Sequence, residues 1–336
     1  ITRIRQLAAE IKGQSIVITF YPHPRQVIYP SDKSLKLLNS LDEKLALFKR
    51  FGVDHVIVVP FSIEFSQQNP QEYIEKFLVG LFNPSYIVIG YDHRFGMNRE
   101  GDFDMLESYE SKFGYKTIEI DKQDVEDITI SSTKIRTALD EQEIRKANTY
   151  LGYNYMISGK VVYGEQIGTK IGYKTANILV DERNKLIPPV GIYAVKVFHG
   201  TEMHLGMLYI GHKPTIHDKA KQSIEVNIFD FNENIYGEYL RLECIEFIRD
   251  DIKFDGLNDL KIQLSNDEIS SRAILEKDHN ESSQTKTKVA IAILNYNGEE
   301  ILESYLPSTL HSTDRDLDYV LIDNCSSDAS VDFIKE

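Results

Sequence analysis

The sequence predicts an α/β domain built on a parallel sheet, then a β-barrel with a closing helix, then an incomplete further α/β unit. Three observations carry this. Over residues 1–150, short apolar strands alternate with amphipathic helical stretches, the pattern of a parallel sheet covered on both faces. After Leu151-Gly152 the chain turns to β-formers broken by short turns, as a barrel requires. From Glu276 to Lys288 there is no aliphatic residue and no Phe, Tyr or Trp, the composition of a linker, and two apolar runs follow it.

The elements follow in order. Ile1, Ile4, Leu7, Ala8 and Ile11 recur at helical spacing. This helix has no cap or strand before it, so the chain reads as lacking an N-terminal segment. Strands are expected at Ser15–Phe20, Val53–Phe61, Ser85–Gly90 and Lys116–Ile120, with helices at Asp42–Phe51, Pro70–Phe82 and Phe103–Phe113. In the barrel region, Gly191–Gly200 and His204–Ile210 read as one hairpin. Ile224–Phe231 and Tyr239–Phe247 read as another, around Asn232–Gly237, and Asp255–Leu275 as the closing helix. Val289–Leu294 and Tyr319–Ile322 read as buried strands with a helix between. The domain boundaries are therefore 1–150, 151–275, a linker at 276–288, and 289–336.

Composition narrows the function. A chain of 336 residues exceeds one ordinary domain of roughly 150. A net charge of −14 gives no global field to attract nucleic acid or an anionic membrane, so a phosphate-bearing ligand must be held locally. No apolar run approaches the roughly 20 residues of a membrane span, and Arg3, Arg5, Glu10 and Lys12 exclude a signal-peptide core. Cys244 and Cys325 lie far apart in the chain and make neither a disulfide scaffold nor a thiolate metal site. The cytoplasm is the expected compartment.

Ligands of parallel sheets sit beyond the carboxyl ends of the strands. Two polar, irregular stretches fall at such ends, Tyr21-Pro22-His23-Pro24-Arg25 and Tyr91-Asp92-His93-Arg94-Phe95-Gly96, and either is also readable as an ordinary turn. Ile130-Ser131-Ser132-Thr133-Lys134-Ile135-Arg136 opens a helix, where hydroxyls cap the orphan N–H groups or the same groups hold a phosphate. In the barrel, Gly159, Gly164, Gly168 and Gly172 stud a stretch leading to Thr175-Ala176-Asn177. Such glycines let backbone approach phosphates or simply bend a barrel corner, and Thr175 and Asn177 offer the hard oxygens Mg²⁺ prefers. In Ser223–Phe229, Ile224, Val226 and Ile228 face one side and Glu225 and Asn227 the other. Glu225 is thus a general base if its face meets a substrate hydroxyl, and surface if it meets water.

Taken in order, these motifs resemble the bifunctional riboflavin kinase/FMN adenylyltransferase (FAD synthetase) family of bacteria over residues 1–275. The resemblance rests on Thr19–Arg25, Pro60-Phe61, Val88–Gly96, Ile130–Arg136, Leu151-Gly152, Thr175–Asn177, Pro189–Tyr193, Lys213–Thr215, Ile224–Val226 and Tyr236-Gly237. It implies a nucleotidyltransferase-type (Rossmann-type) domain joining FMN to AMP, and a barrel that phosphorylates riboflavin with ATP. By position, Thr175 and Asn177 hold Mg²⁺–ATP and Glu225 takes the proton of the flavin 5′-hydroxyl. Arg249 contacts flavin or phosphate. Ser131, Ser132, Thr133 and Arg136 match the helix-start motif for ATP phosphates, and His23, Asp92 and Arg94 fall in stretches lining the nucleotide and flavin cleft.

Two departures qualify the resemblance. The family opens with a strand and a His-x-Gly-His loop that stabilises the transferring phosphate, and no His-x-Gly-His occurs in these 336 residues. Weak or absent FMN adenylylation is therefore expected of them. Lys174 stands where the family has proline, so the loop is expected to loosen, or the lysine to add a phosphate contact. The tail, Val289–Gly298 and Val320–Asp328, resembles the opening of a family 2 (GT-A fold) glycosyltransferase, with Asp323 near the nucleotide base, but no Asp-x-Asp metal motif follows. The leading expectation is riboflavin kinase with an impaired adenylyltransferase. The rivals are the front of a fused glycosyltransferase and a non-catalytic flavin- or nucleotide-binding remnant.

Overall fold

The computed structural model describes residues 1–32, 34–120, 124–125, 128–164, 172–213, 221–284, 289–295 and 317–323. Residues Ile1–Leu275 form one compact unit and Glu276–Glu336 a second.

The first unit opens with the helix Thr2–Glu10, which buries Leu7 and Ala8. Strand β1 (Ile16–Tyr21) runs parallel to β2 (His55–Pro60). The intervening helix Leu41–Arg50 starts on a capping box, Ser40 and Glu43 each accepting the other's backbone N–H. Strand β3 (Tyr86–Gly90) runs parallel to β4 (Lys116–Ile120). The helical stretch 70–82 is π-helical over Tyr73–Val79 and buries Tyr73, Ile74 and Phe77.

The expected single sheet is instead two parallel pairs, β1–β2 and β3–β4, with no ladder joining them among the described residues. Side-chain packing holds them together. Ile18 and Phe20 of β1, Ile57 and Val59 of β2, and Ile87 and Ile89 of β3 share one apolar cluster with Tyr73, Ile74 and Phe77. A short antiparallel pair, β5 (Asp124–Val125) and β6 (Ile128–Thr129), leads to the helices Ser132–Asp140 and Ile144–Leu151. Those helices bury Ile135, Leu139 and Ile144 in the same core as the barrel strands.

The barrel consists of β7 (Tyr155–Val162), β8 (Ala176–Leu179), β9 (Gly191–His199), β10 (Glu202–Lys213), β11 (Lys221–Ile228) and β12 (Tyr239–Arg249), closed in the order β10-β11-β8-β7-β12-β9. Alternation along the strands sends Val195, Val197, Leu208, Ile210, Ile224 and Val226 inward. The opposite faces carry a second cluster, with Ile192, Ala194, Met207 and Ile245 packed against Leu264, Ile274 and Leu275 of the helix Leu257–Gln284.

Two expectations fail here. β9 and β10 form the predicted hairpin, but β11 and β12 do not pair: β11 lies between β10 and β8, and β12 between β7 and β9. The residues between them cross the barrel mouth. There Gly237 donates to the Val161 carbonyl (2.9 Å) and Val161 to that of Glu238 (2.8 Å), so β7 takes the partner that the hairpin reading gave to β11. The helix also runs through Gln284 into the stretch read as linker.

The segment preceding helix Leu41–Arg50 ties the first domain to the barrel. Leu37 donates to the Asn184 carbonyl (2.7 Å) and accepts from Leu186 (2.8 Å). Beside this bridge the fully buried Lys185 ammonium meets the Glu43 carboxylate at 2.7 Å.

In the second unit, β13 (Val289–Asn295) runs parallel to β14 (Leu317–Asp323). The helix expected between them lies outside the described residues.

Candidate functional site

The alternation predicted for β11 places Ile224, Val226 and Ile228 in the core and leaves Glu225 half-buried on the other face. Pairing with β8 sets Asn177 directly opposite Glu225. Each Glu225 oxygen accepts one hydroxyl: Thr175 Oγ1 reaches Oε2 at 3.1 Å and Ser223 Oγ reaches Oε1 at 2.8 Å. Glu225, Thr175 and Asn177 are thus brought together at one place on the barrel, Thr175 just ahead of β8. Ser223 escaped the sequence reading, although strand periodicity places it on the same face two residues ahead of Glu225.

The glycines divide. Gly159 is no phosphate-loop residue: it is buried in mid-β7, where a Cβ would strike the Leu179 carbonyl, so its smallness lets β7 and β8 approach. Gly164 packs directly on the Asn177 side chain, where a Cβ would collide with the amide, so its smallness seats Asn177. Gly172 has φ +88° with open space around it, a backbone that glycine adopts freely. Gly168 lies outside the described residues.

A cleft of about 330 Å³ opens at the barrel mouth, lined by Lys174, Thr175, Val226, Phe231, Asn232 and Tyr236 among others. The Lys174 carbonyl accepts from Asn227 Nδ2 (2.7 Å) and its ammonium donates to Asn232 Oδ1 (2.6 Å) across the cleft.

On the helix-covered face, Tyr209 lies opposite Glu225 in the ladder and donates to Asp251 at 3.1 Å. Burial, with Asp251 beside it, pushes the Tyr209 phenol up to about 12. Arg249 is committed to the helix: its Nε and Nη2 meet both oxygens of Asp267 at 2.8 and 2.6 Å, and Nη1 donates to the Asp250 carbonyl. Its immediate role here is to clamp helix to barrel.

In the first domain, His23 follows the end of β1, Nδ1 accepting the Arg25 N–H at 3.2 Å, and lies within electrostatic reach of Lys44 and Arg136. Lys44, missed in the sequence, is half-buried and donates to Thr19 at 3.4 Å. Ser131 caps helix Ser132–Asp140 by accepting from Lys134, while Ser132 and Thr133 are exposed in its first turn. Arg136 donates to the Lys36 carbonyl (2.8 Å), Arg94 pairs with Asp102, and Asp92 is exposed just beyond β3.

Burial, then Lys44, Arg25 and Arg136, hold the His23 imidazole below the ordinary 6.5. The unfolded chain therefore binds this proton more readily, and His23 costs stability as pH falls from 6.5 through its folded value. His23 is expected to titrate below 6.5 in an NMR pH series and to lose its bond to Arg25 on protonation. A midpoint at or above 6.5 contradicts this.

Two families match the chain: FAD synthetase over residues 1–134 and riboflavin kinase over residues 151–275. The bifunctional riboflavin kinase/FMN adenylyltransferase of Listeria monocytogenes is 40% identical over 277 residues, covering 82% of this chain and 87% of the relative. The chain belongs to the bifunctional riboflavin kinase/FMN adenylyltransferase family. The enzymes of that name from Bacillus subtilis (35% identical, 77% of this chain and 82% of the relative) and Escherichia coli (33%, 76% and 81%) agree. A crystal structure titled as a macrolide-efflux protein from Streptococcus pneumoniae superposes with a TM-score of 0.71 at 31% identity, over 80% of this chain and 86% of that one. Among the described residues no helix is long and apolar enough to cross a membrane.

This member of the riboflavin kinase/FMN adenylyltransferase family is an enzyme of flavin cofactor biosynthesis, with a kinase and a nucleotidyltransferase domain. Both matches end by residue 275, so the glycosyltransferase reading of 289–336 gains no support from them.

Proposed function

We propose that the barrel phosphorylates the 5′-hydroxyl of riboflavin from ATP, with Glu225 as general base. The observation that carries this is the convergence of a carboxylate, a hydroxyl and an amide on one barrel face, Glu225 bonded to Thr175 and opposite Asn177. Glu225 takes the hydroxyl proton as the flavin oxygen attacks the γ-phosphorus, and the bond to the ADP oxygen breaks. Phosphoryl transfer depends mainly on positioning and charge neutralisation, which suits a site with one base and few other reactive groups.

The donors here fit a hard cation. Thr175 and Asn177 supply neutral oxygens, and among the described residues no group of three His, Cys, Asp or Glu could hold a metal alone. Thr175 and Asn177 would hold a divalent ion, Mg²⁺ by this oxygen chemistry, which would supply neutralisation of the nucleotide's phosphate charge. Gly172, with open space around it, leaves room for those phosphates. Ser131, Ser132, Thr133, Arg136, His23, Asp92 and Arg94 are the proposed ATP and FMN contacts of the adenylyltransferase domain.

Riboflavin, Mg²⁺ and ATP incubated with the 336-residue chain, then resolved by chromatography, test the reading. FMN is expected, with little FAD because no His-x-Gly-His is present. Abundant FAD overturns the second expectation, and no FMN overturns the first.

Ser223 fixes one oxygen of Glu225, so Ser223→Ala is expected to lower kcat roughly tenfold, the worth of one hydrogen bond to a charged group. KM should hardly move, and Ser223→Thr should restore turnover. An unchanged kcat in Ser223→Ala contradicts this positioning.

A further inference from the structure

We infer that Lys174 is a phosphate ligand for the incoming nucleotide, held by Asn232 until the nucleotide displaces it. The inference rests on the kinase reading of the barrel and extends it to a residue outside the proposed catalytic set. Its ground is the cleft at the barrel mouth. Among the described lining residues Lys174 is the sole cation, beside apolar Val161, Val226 and Ile228, the polar rim of Asn232 and Asn234, and one acid, Glu233. A chain of net charge −14 has no global field to draw in an anion, so attraction must come from the cleft itself.

The ammonium lies in the cleft beside the proposed catalytic face. Lys174 adjoins Thr175, whose hydroxyl is bonded to Glu225. Its backbone is fixed through the carbonyl bond to Asn227 (2.7 Å), while its side chain spans the cleft to Asn232 (2.6 Å). The backbone anchor keeps the residue at the site when the side chain changes partner. A neutral amide oxygen is a weaker partner for an ammonium than a phosphate oxygen, because with phosphate both partners are charged. A nucleotide therefore gains by taking Nζ from Asn232, and the exchange opens the cleft as it binds. Glu233 on the same rim repels a bare polyphosphate and favours one carrying a divalent cation.

The alternative is that the Lys174–Asn232 bond is only a brace for the cleft wall, and the two readings differ in sign. Titration calorimetry of ADP and of adenosine, each with Mg²⁺, against the full chain separates them. Lys174→Met is expected to weaken ADP by roughly tenfold or more and to leave adenosine unchanged. Lys174→Arg keeps the charge and should retain ADP affinity. Asn232→Ala frees the ammonium and should bind ADP at least as well as the unaltered protein. The inference is overturned if Lys174→Met leaves ADP unchanged, if it weakens ADP and adenosine alike, or if Asn232→Ala weakens ADP as Lys174→Met does. Absence of ADP binding by the unaltered chain overturns both the inference and the nucleotide reading of the cleft. ADP binding without riboflavin phosphorylation overturns the kinase assignment and leaves the Lys174 comparison decisive for the inference.

Discussion

Glu225→Gln is expected to lower the kcat for riboflavin phosphorylation by roughly a hundred- to ten-thousandfold, the range that a positioned general base contributes. The substitution keeps shape and removes only the charge and basicity. Its amide oxygen still accepts from Ser223, and the Thr175 hydroxyl can turn to accept from the new amide, so the local bonding pattern survives. Core strand residues Ile224 and Val226 are untouched and should hold the barrel closed. Thermal melting should therefore stay close to that of the unaltered protein while FMN formation collapses. Nucleotide affinity is expected to change little, because the proposed contacts lie on Thr175, Asn177 and Lys174. Retention of full turnover would remove Glu225 from the chemistry and leave the hydroxyl-lined face as a binding surface.

Much of this was legible in the chain because it depends on local periodicity. Strand alternation placed Glu225 against the core residues beside it, and the apolar runs of the first domain located β1, β2, β3 and β4 to within a residue or two. What failed depends on partners distant in sequence. The β11–β12 hairpin was inferred from two strands and a turn-rich loop, yet pairing was decided by β7, which the loop meets at Val161. Gly159 reads like a phosphate-loop glycine until the Leu179 carbonyl is seen against it. Arg249 carries no local sign of its partner Asp267, an acid eighteen positions on in the closing helix. Lys185 and Glu43 are 142 positions apart, and neither carries any local sign of the other.

That last pair is where the largest loss of stability is expected. Glu43 is a junction: one carboxylate accepts from Lys185 Nζ (2.7 Å), from the Ser40 N–H at the helix start (2.8 Å) and from the Ser158 N–H on β7 (2.8 Å). Lys185 also donates to the Leu38 carbonyl (2.6 Å) and lies over the Tyr155 ring. Lys185→Met keeps the stem's packing but leaves a buried carboxylate without its cation and a carbonyl without its donor. Breaking such a pair costs about 3–5 kcal/mol, or on the order of 10 °C in Tm for a unit of this size. Glu43→Gln should destabilise comparably at neutral pH, but with a distinct pH dependence. Burial already holds the Lys185 ammonium below the ordinary 10.5, against the upward pull of Glu43. Without the carboxylate charge it falls further, so the unfolded chain binds more protons than the folded one up to 10.5, and stability rises with pH across that window. The deficit of Glu43→Gln relative to the unaltered protein should therefore be smaller at pH 10 than at pH 7 in denaturant titrations. A deficit independent of pH would mean that Lys185 and Glu43 do not interact as charges. The junction would then hold the first domain to the barrel by hydrogen bonds alone.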